Sequence, residues 1–335
     1  MIKRIGIIGA GKVVEDMHLP VIKNLKELKV AWVCDTDLNR SKLLSRMYQV
    51  PHLPVQKAIS VLDDVDLCLI ATPVGVRKNY IEACAQAGIA VYSEKPFART
   101  RAEHEYYCSL FPDYKIAAGF QRRFYKNIHT LREIIKSGVF GNLKRIELNH
   151  GQYSLKSGGA HRYITNPKLS GGGVVIDSGI HCLDQILFST AATGVEVEVA
   201  RAIVFNGIDY ETTIFSTITM ESKHRVEVEC NHTSLRNFHQ RFKYFFDTAE
   251  VRLGMNPDSQ VRAQPLNEGK REKVNFEVFN GKGDTPWAST PNQSYYLSWI
   301  FFLKGLLEGR PQMTSAAENY LTTGWVEDIY SKVLS

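Results

Sequence analysis

No apolar run in this 335-residue chain approaches the roughly 20 residues a membrane-spanning helix requires, so no membrane association is expected. The basic start, Lys3-Arg4, leads into a glycine turn rather than a signal-peptide cleavage site, which makes a cytoplasmic location the expectation. The six cysteines, Cys34, Cys68, Cys84, Cys108, Cys182 and Cys230, include no CxxC pair and no ligand spacing to histidine. They therefore read as reduced core residues, and neither a structural zinc site nor any other metal is expected. A net charge of +6, from 41 basic and 35 acidic residues, is not gathered into a basic run, and no nucleic-acid module is visible. The mild positive field suits an anionic small molecule instead. Repeats and low-complexity segments are lacking too, while 44% apolar and 23% charged residues are the proportions of a globular protein long enough for about two domains.

The first thirty-five residues carry the strongest signal. Ile5-Gly6-Ile7-Ile8 feeds into Gly9-Ala10-Gly11, a helix-like segment follows, and a second apolar run, Val30 to Cys34, ends at Asp35. This order is that of a dinucleotide-binding βαβ unit. Gly9 permits the tight turn, Gly11 lets backbone approach a pyrophosphate, and the following helix start, at Lys12 and Val13, presents N–H groups to the anion. A carboxylate at Asp35 suits the two hydroxyls of an adenosine ribose and repels a 2′-phosphate, favouring NAD, although Arg40 keeps NADP open. The third fingerprint glycine is replaced by Val14, so the helix is expected to pack further from the strand or to tilt. Glu15 and Asp16 place negative charge near the phosphates, partly offset by Lys12.

Further along, Val65–Ala71 reads as a buried strand ending at Thr72-Pro73, Arg77–Ala87 as a helix closed by Gly88, and Ala90–Ser93 as a strand ending at Glu94-Lys95-Pro96. Alternating strands and helices imply a parallel sheet, whose ligands bind at the strands' carboxyl ends. Past about residue 120 the pattern changes to long alternating segments, Leu143–Leu148, Val195–Val204, Thr212–Met220 and Arg225–Cys230, which suit a mostly antiparallel sheet with one wet face. Helices are expected at Gln293–Leu307 and, behind a Ser315 cap, at Ser315–Val333. The fold class is therefore α/β: a Rossmann dinucleotide-binding domain over 1–120, and an α+β domain with a large mostly antiparallel sheet over 121–335, whose last helices can pack back on the first domain.

A second informative stretch is Gly171-Gly172-Gly173 followed by Asp177, His181 and Asp184. In a regular helix these three lie at i, i+4 and i+7 on one face, where a carboxylate and an imidazole could orient a substrate hydroxyl and move its proton. The plainer reading is a solvated polar stripe.

With His18-Leu19-Pro20, Ala71-Thr72-Pro73 and Glu94-Lys95-Pro96, this block makes nearly the whole chain resemble the Gfo/Idh/MocA oxidoreductases, the glucose–fructose oxidoreductase and inositol dehydrogenase group. The resemblance implies hydride transfer between a nicotinamide and a secondary carbinol of a sugar or polyol, by a homo-dimer or homo-tetramer. It also implies Lys95 as the catalytic lysine, His181 as the proton-transferring acid/base, and Asp177 as a substrate-binding or histidine-supporting carboxylate. Gly9, Gly11, Lys12, Val13, Asp35, Arg40, Thr72, Pro73, Glu94, Lys95 and Arg123 form the expected cofactor set. Arg123, in the segment Gly119–Phe124, is favoured over Arg122, which is expected to be solvated. Lys95, Arg162, Tyr163, Asp177 and His181 form the substrate set. Cations at Lys156, His161 and Arg162 fit an anionic sugar, or plain surface charge. Asp184 is expected to support the helix. Where many members carry asparagine and histidine after the Thr-Pro turn, this chain has Val74-Gly75-Val76-Arg77. Two other readings stand beside the dehydrogenase: an NAD-retaining enzyme that uses transient oxidation for elimination or glycoside hydrolysis, and a non-catalytic dinucleotide sensor.

Overall fold

The computed structural model describes residues 2–151, 163–237, 241–266 and 286–333. The chain divides into two compact units, Met1–Gln121 with Tyr295–Thr323, and Arg122–Ser294 with Gly324–Ser335. Among the described residues, no helix is long and apolar enough to cross a membrane.

The first unit runs β1 (Lys3–Ile8), α1 (Leu19–Asn24), β2 (Leu28–Asp35), α2 (Leu38–Tyr48), β3 (His52–Pro54), β4 (Leu67–Ile70), α3 (Lys78–Gln86), β5 (Ala90–Ser93), α4 (Arg101–Ser109) and β6 (Ile116–Ala118). Its six strands are parallel in the order β3-β2-β1-β4-β5-β6. The order reverses between β1 and β4, which is where ligands settle in such sheets, beyond the strands' carboxyl ends. Every residue of β4 and β5 is buried, as expected of strands covered on both faces. Asp37 caps α2 through the Asn39 amide at 2.9 Å, and Thr100 caps α4 through Glu103 at 3.1 Å.

Residues 295–323 complete this unit's core. Trp299 and Phe302 join Ile5, Ile7, Val14, Leu67 and Tyr92 in one apolar cluster. Tyr92 Oη and Ser298 Oγ are 2.6 Å apart, and His104 is held between Thr323 Oγ1 and the Ala316 carbonyl, each at 2.8 Å. The expected helix cap at Ser315 is not made. Its hydroxyl donates to the Asp113 carbonyl at 3.1 Å, and a 3-10 turn over Ala316–Asn319 precedes the helix proper.

The second unit comprises α5 (Lys126–Ser137), β7 (Leu143–Gly151), α6 (Pro167–Ser170), α7 (Ile180–Thr190), β8 (Ala192–Phe205), β9 (Ile208–Met220), β10 (Arg225–Thr233), β11 (Arg241–Phe246), β12 (Ala249–Gly254) and β13 (Arg262–Pro265). Its seven strands lie in the order β13-β12-β11-β7-β10-β9-β8, antiparallel except where β7 and β10 run together. One face is buried, through Ile146, Leu148, Val226, Val228, Phe242 and Tyr244. The alternate residues carry charge, with Lys243 Nζ 2.8 Å from Glu147 Oε2. α7 is buried over almost its whole length. α8 (Pro291–Glu308) and α9 (Tyr320–Val333) each begin in one unit and end in the other.

Candidate active site

In the first unit the turn after β1 has the shape its glycines require. Gly9 adopts φ +105°, and a Cβ there would lie 2.6 Å from the Ala71 carbonyl oxygen. At Gly11 a Cβ would meet nothing within 4 Å, so the backbone faces open space of the kind a pyrophosphate occupies. Asp35 stands beside this turn at the end of β2. One of its oxygens accepts the Ala10 amide at 2.6 Å, and the other accepts the Asp37 amide at 2.8 Å.

The acidic residues of the turn are matched locally. Lys12 Nζ lies 2.8 Å from Asp16 Oδ1, and Arg40 donates to Glu15 Oε2 at 2.8 Å and to the Ala10 carbonyl at 3.2 Å. Arg40 is thus tied to the turn through Glu15 and the Ala10 carbonyl. Val13 leads into a π turn over Val14–His18, and Val14 is fully buried in the core. The wider π turn accommodates a valine where the fingerprint has its third glycine.

His18 closes that π turn. The Trp299 indole N–H donates to His18 Nδ1 at 3.1 Å, so Nδ1 carries the lone pair and Nε2 carries the proton that meets Glu94 Oε1 at 2.8 Å. The other Glu94 oxygen accepts the Lys95 amide at 3.0 Å. Glu94, expected to touch the cofactor, is 4% exposed and serves as the link between His18 and the Lys95 backbone.

Arg77 was not anticipated as a site residue, because a cation at a helix start reads as solvated. It is 1% exposed. Its Nη2 donates to the Thr72 carbonyl at 2.5 Å, and Nη1 donates to the Glu94 carbonyl at 2.5 Å, to Ser93 Oγ at 3.2 Å and to the Pro96 carbonyl. The guanidinium thus joins the Thr72-Pro73 turn, at the end of β4, to the Glu94-Lys95-Pro96 turn, at the end of β5.

In the second unit the glycine block leads into a π turn over Val175–Gly179, then α7. Asp177 lies in the π turn and His181 in α7, so the two are carried by a π turn running into a helix rather than by one regular α-helix. The turn is anchored by Asp209. Its Oδ1 accepts the Gly173 amide at 2.6 Å and the Tyr330 hydroxyl at 2.7 Å, and its Oδ2 accepts the Val175 amide at 3.1 Å. A Cβ on Gly173 would collide with the Asp209 carbonyl, which is why the block needs glycine there. Asp209 and Tyr330 carry no local sequence signal, being 121 residues apart.

Arg123 has a different place from the cofactor contact expected of it. Its fork is bidentate on Asp184, Nε to Oδ2 at 2.9 Å and Nη2 to Oδ1 at 2.7 Å, with both side chains buried and the guanidinium over the Phe188 ring. Asp184, expected to support the helix, has Arg123 as its buried counter-ion. Arg122, expected to be solvated, is half-buried and electrostatically coupled to Cys182 and His150.

His150 on β7 and His232 on β10 are register partners, with Nδ1 atoms 3.4 Å apart and rings edge to face. Burial pushes His150 down to about 4, Arg122 pushes in the same direction, and Asp177 opposes both. Burial and then His150 hold His232 well below its usual value. Two neutral imidazoles therefore lie under the element that carries Asp177 and His181, and the alternation of their strands was the signal that could have placed them on the buried face. Tyr163 is 37% exposed. Arg162, with Lys156 and His161, lies outside the described residues. No three His, Cys, Asp or Glu side chains gather as a metal site would need, among the described residues.

Residues 3–115 match the profile of an oxidoreductase family with an NAD-binding Rossmann fold, and residues 128–252 match the GFO/IDH/MocA C-terminal domain. The D-glucoside 3-dehydrogenase of Escherichia coli K12 is 29% identical over 192 residues, covering 55% of this chain and 53% of that protein. The rhizopine catabolism protein MocA of Rhizobium meliloti is 26% identical over 205 residues, 59% of this chain and 61% of that one. The match thus spans between half and two thirds of these relatives. A solved aldose-aldose oxidoreductase of Caulobacter crescentus, complexed with glycerol, superposes with a TM-score of 0.80 at 18% identity, covering 100% of this chain and 98% of that one.

Proposed function

We infer that this chain, which belongs to the GFO/IDH/MocA oxidoreductase family, is an NAD(H)-dependent dehydrogenase or ketoreductase acting on a secondary hydroxyl or ketone of a sugar, sugar derivative or polyol. One observation carries the reading: a dinucleotide turn with Asp35 beside it, and a lysine, Lys95, fixed by its backbone at the end of β5 on the same edge of the same sheet.

Gly9, Gly11, Lys12, Val13, Asp35, Thr72 and Pro73 fit a bound dinucleotide. The open space at Gly11 admits its phosphates, and the Asp35 carboxylate suits unmodified ribose hydroxyls. NAD is favoured over NADP because the Asp35 carboxylate repels a 2′-phosphate and Arg40 is engaged by Glu15. When bound, the nicotinamide supplies the two-electron acceptor or donor. Lys95 Nζ donates a hydrogen bond to the reacting oxygen and stabilises charge as it develops there. His181 takes or returns the hydroxyl proton, with Asp177 orienting it or the substrate. Arg162 and Tyr163 complete the substrate set. Self-association through the open sheet face, where Val199 and Phe215 are exposed register partners, belongs to the same reading. A monomer in light scattering would refute that part.

The test is to titrate NADH and NADPH by fluorescence and then follow absorbance across a panel of sugars, polyols, sugar phosphates and nucleotide sugars. NADH binding, sugar-dependent turnover, and a loss of about 100-fold or more in kcat for Lys95→Ala with NADH binding retained support the reading. Turnover unchanged in Lys95→Ala, or no binding of either nucleotide, overturns it.

A further inference from the structure

We propose that Arg77 is a positioning residue for Lys95, acting through the peptide backbone on both sides of it; this rests on the assignment of Lys95 to the reaction. A lysine on a turn can direct its ammonium only as well as its own Cα is fixed. Here the residue is bracketed. Arg77 Nη1 holds the carbonyl of the residue before it, Glu94 O at 2.5 Å, and the carbonyl of the residue after it, Pro96 O, one peptide unit beyond the Lys95–Pro96 bond. The Lys95 amide is held separately by Glu94 Oε2 at 3.0 Å. The same guanidinium reaches the Thr72 carbonyl at 2.5 Å through Nη2, so the plane of its fork sets the angle between the turns that follow β4 and β5.

Burial makes this arrangement specific to arginine. Arg77 is 1% exposed, and its fork meets three main-chain oxygens and one hydroxyl at fixed angles. A lysine at 77 keeps the charge but presents one compact ammonium, with a shorter reach than the guanidinium fork. It cannot keep the Thr72 carbonyl and also hold both carbonyls that flank Lys95, so contacts on the Lys95 turn are lost. A misplacement of about 1 Å in a catalytic group can cost on the order of 100-fold in rate.

The experiment compares wild type with Arg77→Lys, and with Arg77→Met as the stronger disruption, in the full-length protein. Exchange of the Lys95 amide with solvent, read by NMR on 15N-lysine-labelled protein without nucleotide, is expected to rise by about tenfold or more in Arg77→Lys. Its kcat is expected to fall about 10- to 100-fold, with the NADH Kd and sugar KM each within about threefold of wild type. Wild-type exchange with wild-type kcat overturns the proposal. A kcat loss matched by an equal weakening of NADH binding and a lowered Tm overturns it as well, since it would make Arg77 general support for the fold. If Arg77→Met does not fold, Arg77→Lys still decides. If Lys95→Ala retains full turnover, the functional reading fails, while the exchange measurement still reports whether Arg77 fixes the Lys95 backbone.

Discussion

The buried pair of Arg123 and Asp184 gives a prediction whose size follows from its geometry. Both side chains are nearly inaccessible, at 4% and 1%, and the two bonds are parallel and short, at 2.9 and 2.7 Å. Asp184→Asn removes the negative charge and leaves the guanidinium buried against a neutral amide and the Phe188 ring. Removing one partner of such a pair costs about 3–5 kcal/mol. For a cooperative unit of about 150–250 residues, that lowers Tm by about 6–20 °C. Replacing both partners by apolar groups, Arg123→Met with Asp184→Leu, removes the desolvation cost with the attraction and is expected to stay within about 2 kcal/mol of wild type. Differential scanning calorimetry on the wild type, Arg123→Met, Asp184→Leu and the double variant closes the cycle. If the double variant is as unstable as the sum of the singles, the pair is not coupled and the reasoning fails. Fluorescence titration adds an independent arm: with Arg123 committed to Asp184, the double variant keeps its NADH Kd within about threefold, and a loss of about tenfold or more would restore Arg123 to the cofactor site.

Three further outcomes follow from the same geometry. Asp35→Ser removes the carboxylate beside the Gly9–Gly11 turn and is expected to raise the NADPH-to-NADH preference by about tenfold or more in paired titrations; an unchanged ratio would take ribose selection away from Asp35. Tyr330→Phe deletes a hydroxyl that donates to Asp209 and accepts the Gly173 and Ile176 amides at 3.1 Å each, at an expected cost of about 1–3 kcal/mol in urea unfolding, and an unshifted midpoint would argue against this anchor. His104, His129 and His150 are each held down to about 4, chiefly by burial. The unfolded chain therefore binds more protons than the folded one between pH about 6.5 and 4, so this contribution is complete above that window and is lost as pH falls through it, at a few kcal/mol per group. Melting curves at stepped pH test this, and stability that holds or rises on acidification would contradict it.

What the sequence disclosed was local. The turn at Gly9 and Gly11, Asp35 at the end of β2, and the Thr72 and Lys95 turns all follow apolar runs whose ends can be counted in one dimension. The change to alternating segments gave the second sheet for the same reason, since period two is visible along a strand. What it hid depends on partners far along the chain. Trp299 meets His18 across 281 positions and Tyr330 meets Asp209 across 121, and no spacing rule links them. The neighbours Arg122 and Arg123 show a second limit. Adjacent residues in a short 3-10 turn point in different directions, and only packing shows which of them faces Asp184. The π turns at Val14–His18 and Val175–Gly179 were hidden as well, because periodicity read at 3.6 residues per turn does not see one inserted residue.

The first unit is not a continuous stretch of chain, and this constrains how the protein is made. A nascent chain that has emerged through Gln121 carries all six strands, but it lacks Trp299 to fix the His18 tautomer, Ser298 to meet Tyr92, and Thr323 to meet His104. The nucleotide half waits for residues 295–323, which the ribosome releases only after the whole second sheet. At about 5–20 residues per second, that interval is on the order of 10–40 seconds, during which apolar positions of β1, β4 and β5 lack their final cover. The apolar sheet of the first unit is thus completed by residues of α8 and α9, translated after every strand of the second unit rather than beside the strands they cover.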